Sequence, residues 1–225
     1  MPQLIAMVIV VVAAMIYMFQ TFGGTGDKIE GIAQKTSVVT EINNIKNGLK
    51  LAARAQHIAD VVNANTDAVT TLEGLAELSY FPEQINQQLN VIGQTNTRNV
   101  YDAISFGGEE GTTPGAVNNA ANTSALQLAL VRNTPNGTPG IYIDLSRGSL
   151  AGNAGFLESQ IATDLASIAT IDRTALTPTA GALRGGANPV LARIPADNGE
   201  AGANNDGRFI IYFNDFAANE VVIDQ

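Results

Sequence analysis

From Leu4 to Phe19 the chain reads LIAMVIVVVAAMIYMF with no polar side chain, and its first charged residue is Asp27. A helix that is apolar all round needs lipid or protein on every side. A membrane span takes about 20 apolar residues, and Leu4 to Phe22 approaches that length if Gln20 and Thr21 sit at the interface. The segment is therefore read as membrane-grade. Two other readings fit less well. Met1-Pro2-Gln3 lacks the basic start of a signal peptide, and Gly23-Gly24-Thr25-Gly26 is a poor cleavage site. A buried core helix at this position would have to be enclosed completely by the rest of the fold.

Gly23, Gly24 and Gly26 each cost a helix about 1 kcal/mol relative to Ala, which predicts a bend or local melting after the apolar run. Past them, Val38, Ile42, Ile45, Leu49 and Ala52 or Ala53 recur at spacings of three and four and predict an amphipathic helix from about Asp27 to Val62. Lys46, Lys50 and Arg54, four residues apart, form a basic ridge beside that apolar stripe. The chain divides into an apolar helix with its glycine break over 1–26 and a globular head over 27–225 that includes the amphipathic half of the helix.

The remaining patterns predict short helices at Thr71–Tyr80, Pro82–Leu89 and Asn99–Ser105, then an exposed loop at Phe106–Thr123. Leu126, Leu128 and Leu130 alternate onto one face of a strand over Ser124–Arg132. A turn cluster at Asn133–Gly140 makes it a hairpin with Ile141–Leu145. A helix at Phe156–Ala169 follows, with Leu157, Ile161, Leu165 and Ile168 on one stripe. Thr177–Gly207 reads as surface loop with an extended piece at Val190–Ile194, and Arg208–Phe213 and Glu220–Ile223 close the chain as strands. The expected fold class is α+β: a long N-terminal helix, apolar half plus amphipathic half, packed on an antiparallel β-sheet head with additional short helices.

Composition removes much of enzyme chemistry. With no Cys and one His there is no disulfide, thiolate zinc site, thiol nucleophile or His-rich metal site. A net charge of −9 disfavours general binding to nucleic acid. Gly23 to Lys28 lacks the phosphate-loop spacing and follows an apolar run in place of a strand. His57 has no nucleophile elbow to serve. The Asp197–Gly207 stretch is rich in oxygen ligands but lacks the pattern of a calcium loop. Asn122 and Asn136 head short glycosylation-type triplets. No enzyme activity, metal or cofactor is expected.

An apolar N-terminal helix that passes a glycine break into an amphipathic one, then a helical region, then an antiparallel sheet with C-terminal strands, resembles a mature type IV pilin. The helix set among the strands at Phe156–Ala169 is similar to the larger, Met-starting type IVb class. Sequence likeness is confined to residues 1 to about 60. Ile5 stands where the family usually has glutamate, with Gln3 the nearest polar residue. The family's helix-kinking proline and its C-terminal disulfide loop are both absent. Pro2 suits the first turn of a helix.

The resemblance implies a non-enzymatic subunit of an extracellular filament, held in the inner or cytoplasmic membrane before pilus assembly machinery draws it into a helical homo-oligomer for adhesion or motility. Met1, Leu4, Ile5, Met7, Val8, Val11, Val12, Met15, Ile16 and Phe19 would form the filament core, and Gly23, Gly24 and Gly26 the helix break. Asp27 to Asp60 holds five basic and four acidic residues, and the rest of the chain seven Arg against seventeen acids. Like-charged heads side by side repel, so Lys46, Lys50 and Arg54 are expected to meet acidic residues of a neighbouring subunit. A minor pilin or secretion-system pseudopilin is a variant of this reading. The alternative is a single-pass membrane-anchored extracellular or periplasmic binding domain.

Overall fold

The computed structural model of the chain describes residues 31–59, 69–90, 98–108, 124–132, 137–181, 183–195 and 204–217. The expected apolar helix at Leu4–Phe22 with its core residues, the break at Gly23, Gly24 and Gly26, the strand Glu220–Ile223 and most of the loops 107–123 and 196–207 lie outside them.

Helix α1 covers 31–54. Its stripe of Val38, Ile42, Ile45, Leu49, Ala52 and Ala53 is buried to 1% exposure or less, as the spacing predicts. The helix stops because Gln56 turns left-handed, at φ 59°. Gln56 N–H then donates to Ala53 O and His57 N–H to Ala52 O, which satisfies two terminal carbonyls. Helix α2 (Leu72–Glu77) is capped by Thr71, whose side chain accepts from Gly74 N–H. Helix α3 (Glu83–Leu89) starts after Pro82, which sits one position before the first turn.

The structure is a mixed helix and sheet protein whose five strands form one antiparallel sheet. The strands are β1 (Val100–Asp102), β2 (Gln127–Val131), β3 (Gly140–Asp144), β4 (Ala169–Asp172) and β5 (Arg208–Phe213), in the order β1-β2-β3-β5-β4. The β2–β3 hairpin forms with Leu128 opposite Ile143 and Leu130 opposite Ile141. The last strand enters between β3 and β4, so the centre of the sheet is completed from the far end of the chain.

Alternation sorts the strands onto two faces. Leu128, Leu130, Ile141, Ile143, Phe209, Ile211 and Phe213 share one core cluster with the stripe of α1, with α2 and α3, and with Leu157 and Ile161 of helix α4 (Ala154–Leu165). On the opposite face Ala129, Val131, Tyr142, Ile210 and Tyr212 pack with Ile194 and with the partly buried Ala175, Ala180 and Leu191. Gly140 makes room there, because a Cβ on it would come within 2.6 Å of the Tyr212 ring.

Four expectations are corrected. Asn99–Ser105 is not a helix. Val100, Tyr101 and Asp102 pair with Ala129, Leu128 and Gln127 as edge strand β1, and a 3₁₀ turn at Ile104–Phe106 follows. Pairing across the sheet overrides the local pattern. The helix expected to Ala169 ends at Leu165, and Ala169–Asp172 becomes β4 beside β5, leaving Ile168 48% exposed. Val190–Ile194 holds a 3₁₀ turn at Leu191–Arg193 in place of an extended piece. The Thr177–Gly207 segment is also more than a surface loop, because Leu191 and Ile194 help to cover the second face of the sheet.

Gly48 faces Phe81 and the Tyr80 carbonyl. A Cβ there would lie 2.9 Å from Tyr80 O and closer still to the Phe81 ring. Helix propensity alone would make Gly48→Ala stabilising by about 1 kcal/mol. Overpacking against a buried ring and a backbone carbonyl reverses the sign, so Gly48→Ala should lower stability by roughly 1–3 kcal/mol. The adjacent exposed Asn47→Ala should raise it by about 0.5 kcal/mol. Urea unfolding of the two variants beside the parent checks both signs.

Candidate functional site

Helix α1 carries five charged residues between 31 and 54, and four of them are engaged by the chain's own head. Lys35 Nζ lies 2.6 Å from Asp164 Oδ2 on α4. Glu41 is buried and accepts from Tyr101 Oη at 3.2 Å and from Ser105 Oγ, tying α1 to β1 and the turn after it. Burial and the neighbouring Glu41 carboxylate drive the Tyr101 phenol well above its ordinary pKa, so it remains a donor.

Lys46 and Lys50 converge on Asp215, at 3.1 and 2.6 Å. The Lys46 ammonium also sits 4.2 Å from the centroid of the Phe213 ring. Phe216 is buried in the main core, and its carbonyl accepts from Arg193 Nη2 at 2.9 Å. The chain leaving β5 is thus clasped from α1 and from the cover of the second sheet face. Partial desolvation pushes the Asp215 carboxyl upward. The hydrogen bonds and charges of Lys50 and Lys46 together outweigh it, so its pKa lies below the usual carboxylate value.

The sequence reading gave all three basic residues of the ridge an acidic partner in a neighbouring subunit. For Lys46 and Lys50 the partner observed is Asp215 of the same chain. Arg54 is exposed and forms no ion pair among the described residues. Asp215 went unnoticed because 165 residues separate it from Lys50 and only the return of β5 beneath α1 brings them together.

Two buried polar clusters were also missed. Arg98 donates through Nη1 to Gln88 O at 2.6 Å and pairs with Asp102 at 3.3 Å, and Asp102 Oδ1 accepts from Gln127 Nε2 at 2.7 Å. Desolvation lowers the Arg98 pKa, opposed by Asp102 and Glu73. Glu158, fully buried on α4, accepts from Arg173 Nε at 2.8 Å and from Gly207 N–H at 2.9 Å, tying the 204–207 segment to the helix. These clusters fasten elements of the head to one another and present no substrate-facing group.

His57 Nδ1 lies 2.6 Å from Tyr80 Oη, a contact between the end of α1 and the segment after α2. Of the oxygen-rich stretch Asp197–Gly207, Asn205 and Asp206 are described, and they bond to Arg173 and Arg208. No group of three metal-ligating side chains occurs among the described residues. The same residues contain no helix long and apolar enough to cross a membrane. Comparisons with family models, with curated proteins and with solved structures returned no match.

The outward side of α1 differs from its inward side. Ile32, Thr36, Ser37, Thr40, Asn43, Asn47 and Leu51 are exposed and uncharged. The hydroxyls of Thr36, Ser37 and Thr40 donate back to Ile32 O, Ala33 O and Thr36 O, so they compete little for water.

Asp215→Asn should cost about 1 kcal/mol or less, since the carboxylate is 43% exposed and screened by solvent. Because the Asp215 pKa is lowered on folding, its contribution is complete above the unfolded carboxylate value of about 4 and disappears as pH falls through the folded value. Denaturation from pH 7 into acid should therefore show a parent–variant difference that is constant above about pH 5 and closes at the acid end.

Proposed function

We propose that the chain is the structural subunit of a type IV pilus-like extracellular filament. Residues 1–54 act as one long helix in this reading. Its apolar half, with Met1, Leu4, Ile5, Met7, Val8, Val11, Val12, Met15, Ile16 and Phe19, bundles with copies of itself, and its amphipathic half packs on the sheet. Gly23, Gly24 and Gly26 provide the break between the halves. Before assembly the apolar half sits in the membrane, and assembly machinery transfers it from lipid to bundle. That transfer exchanges one apolar surrounding for another, so close packing must favour the polymer.

The observation that carries this reading is the uncharged outward face of α1. A chain of net charge −9 should repel its copies. On α1 the charges of Lys35, Glu41, Lys46 and Lys50 are drawn inward to the chain's own partners. What remains outward from Ile32 to Leu51 is small, neutral and able to lie beside another helix. Two ammonium groups on the one carboxylate of Asp215, with the exposed Arg54 one turn on, leave a net positive spot where an acidic residue of a neighbouring subunit fits.

Val11→Asp tests the reading. A carboxylate at the centre of the apolar helix costs about 2.5–3.5 kcal/mol in lipid and has no partner in a bundle. Filaments should vanish from electron micrographs of sheared surface material, while the head retains the parent's denaturation midpoint. Filaments at parental abundance would refute the reading.

A further inference from the structure

Ile32 at the start of α1 and Phe156 at the start of α4 are 58% and 47% exposed. They form one patch, because the Phe156 ring lies against Gly31, where a Cβ would stand 3.2 Å from ring Cε1. The patch is fixed in position, since Asn153 Nδ2 donates to Gln34 Oε1 at 3.3 Å and Lys35 pairs with Asp164. That ion pair also neutralises the charges that α1 and α4 carry beside it.

We propose that this patch rests in the headgroup–acyl boundary of the membrane that holds the chain before assembly, so that the head docks on lipid and does not hang free from its anchor. The inference depends on the reading that Leu4–Phe22 occupies lipid at that stage. Given that, the length of intervening chain places the patch. Phe22 and Gly31 are nine residue steps apart, about 14 Å if helical and about 30 Å if extended. The interfacial layer on one side of a bilayer is about 5–8 Å thick. The patch is therefore tethered within reach of it. An isolated subunit has no second copy at hand to cover Ile32 and Phe156, whereas lipid is always beside them. Apolar side chains of an amphipathic surface settle at this depth.

The chain contains no Trp, so Phe156→Trp and, in a second variant, Ile32→Trp each provide a single fluorophore at the patch. Leu176→Trp provides a control. Leu176 is 53% exposed, and its carbonyl receives Tyr142 Oη, on the face of the sheet away from α1. The full chain is reconstituted at one copy per phosphatidylcholine nanodisc, with and without brominated acyl chains. Thermal melts establish that each variant folds. The proposal expects blue-shifted emission at positions 156 and 32 that is quenched by brominated lipid, with neither effect at 176. Disc-bound chain whose patch fluorophores match the 176 control overturns it and leaves the anchor reading standing. Failure of the chain to enter discs overturns both. A blue shift that needs two or more copies per disc and is insensitive to brominated lipid also overturns it, and assigns the patch to a contact between subunits.

Discussion

Every part of the head leans on the apolar stripe of α1. Val38, Ile42, Ile45, Leu49, Ala52 and Ala53 are buried in the same cluster as Leu128, Leu130, Ile141, Ile143, Phe209, Ile211 and Phe213. The stripe runs across strands distant from one another in sequence, including β5, which inserts between β3 and β4 from the far end of the chain. Burying such side chains contributes about 1.5–3 kcal/mol each. The polar contacts then decide how the helix lies on that surface. Lys35 fastens it to α4, Glu41 to β1, and Lys46 and Lys50 to the exit of β5. Gly48 lets the Phe81 ring and the Tyr80 carbonyl close against it.

This arrangement has a consequence for function. A helix whose charges are spent on its own head presents a neutral outer surface, and here that helix directly follows the most apolar segment of the chain. A solvated helix would more commonly carry Lys and Glu outward. The proposed polymer explains the difference physically, because the face left uncharged is the one that must approach other copies.

Much of the head was legible because its signals are local. The three- and four-residue spacing of Val38 to Leu49 marked α1, Thr71 marked the start of α2, and the alternation of Leu126, Leu128 and Leu130 with the turn cluster after it marked the β2–β3 hairpin. What failed was set by distant partners. Val100–Asp102 and Ala169–Asp172 are strands because Ala129 and Phe213 lie beside them, and nothing within a few residues announces it. The ridge of Lys46 and Lys50 was readable as a ridge, but Asp215 was not readable as its partner. The buried carboxylates of Glu41 and Glu158 look like ordinary surface positions until Tyr101, Ser105 and Arg173 are folded against them.

The central claim is that this chain polymerises through residues 1–54 with the outward face of α1 turned to its neighbours. Helical reconstruction of sheared surface filaments by electron cryomicroscopy tests it most directly. The account predicts filaments built from this chain, with the Leu4–Phe22 helices bundled at the axis, the Ile32-to-Leu51 face of α1 directed inward, and the 173–195 segment on the outside. A filament in which α1 faces solvent and the apolar segment lies away from the axis would contradict it, as would surface material from which the chain is absent.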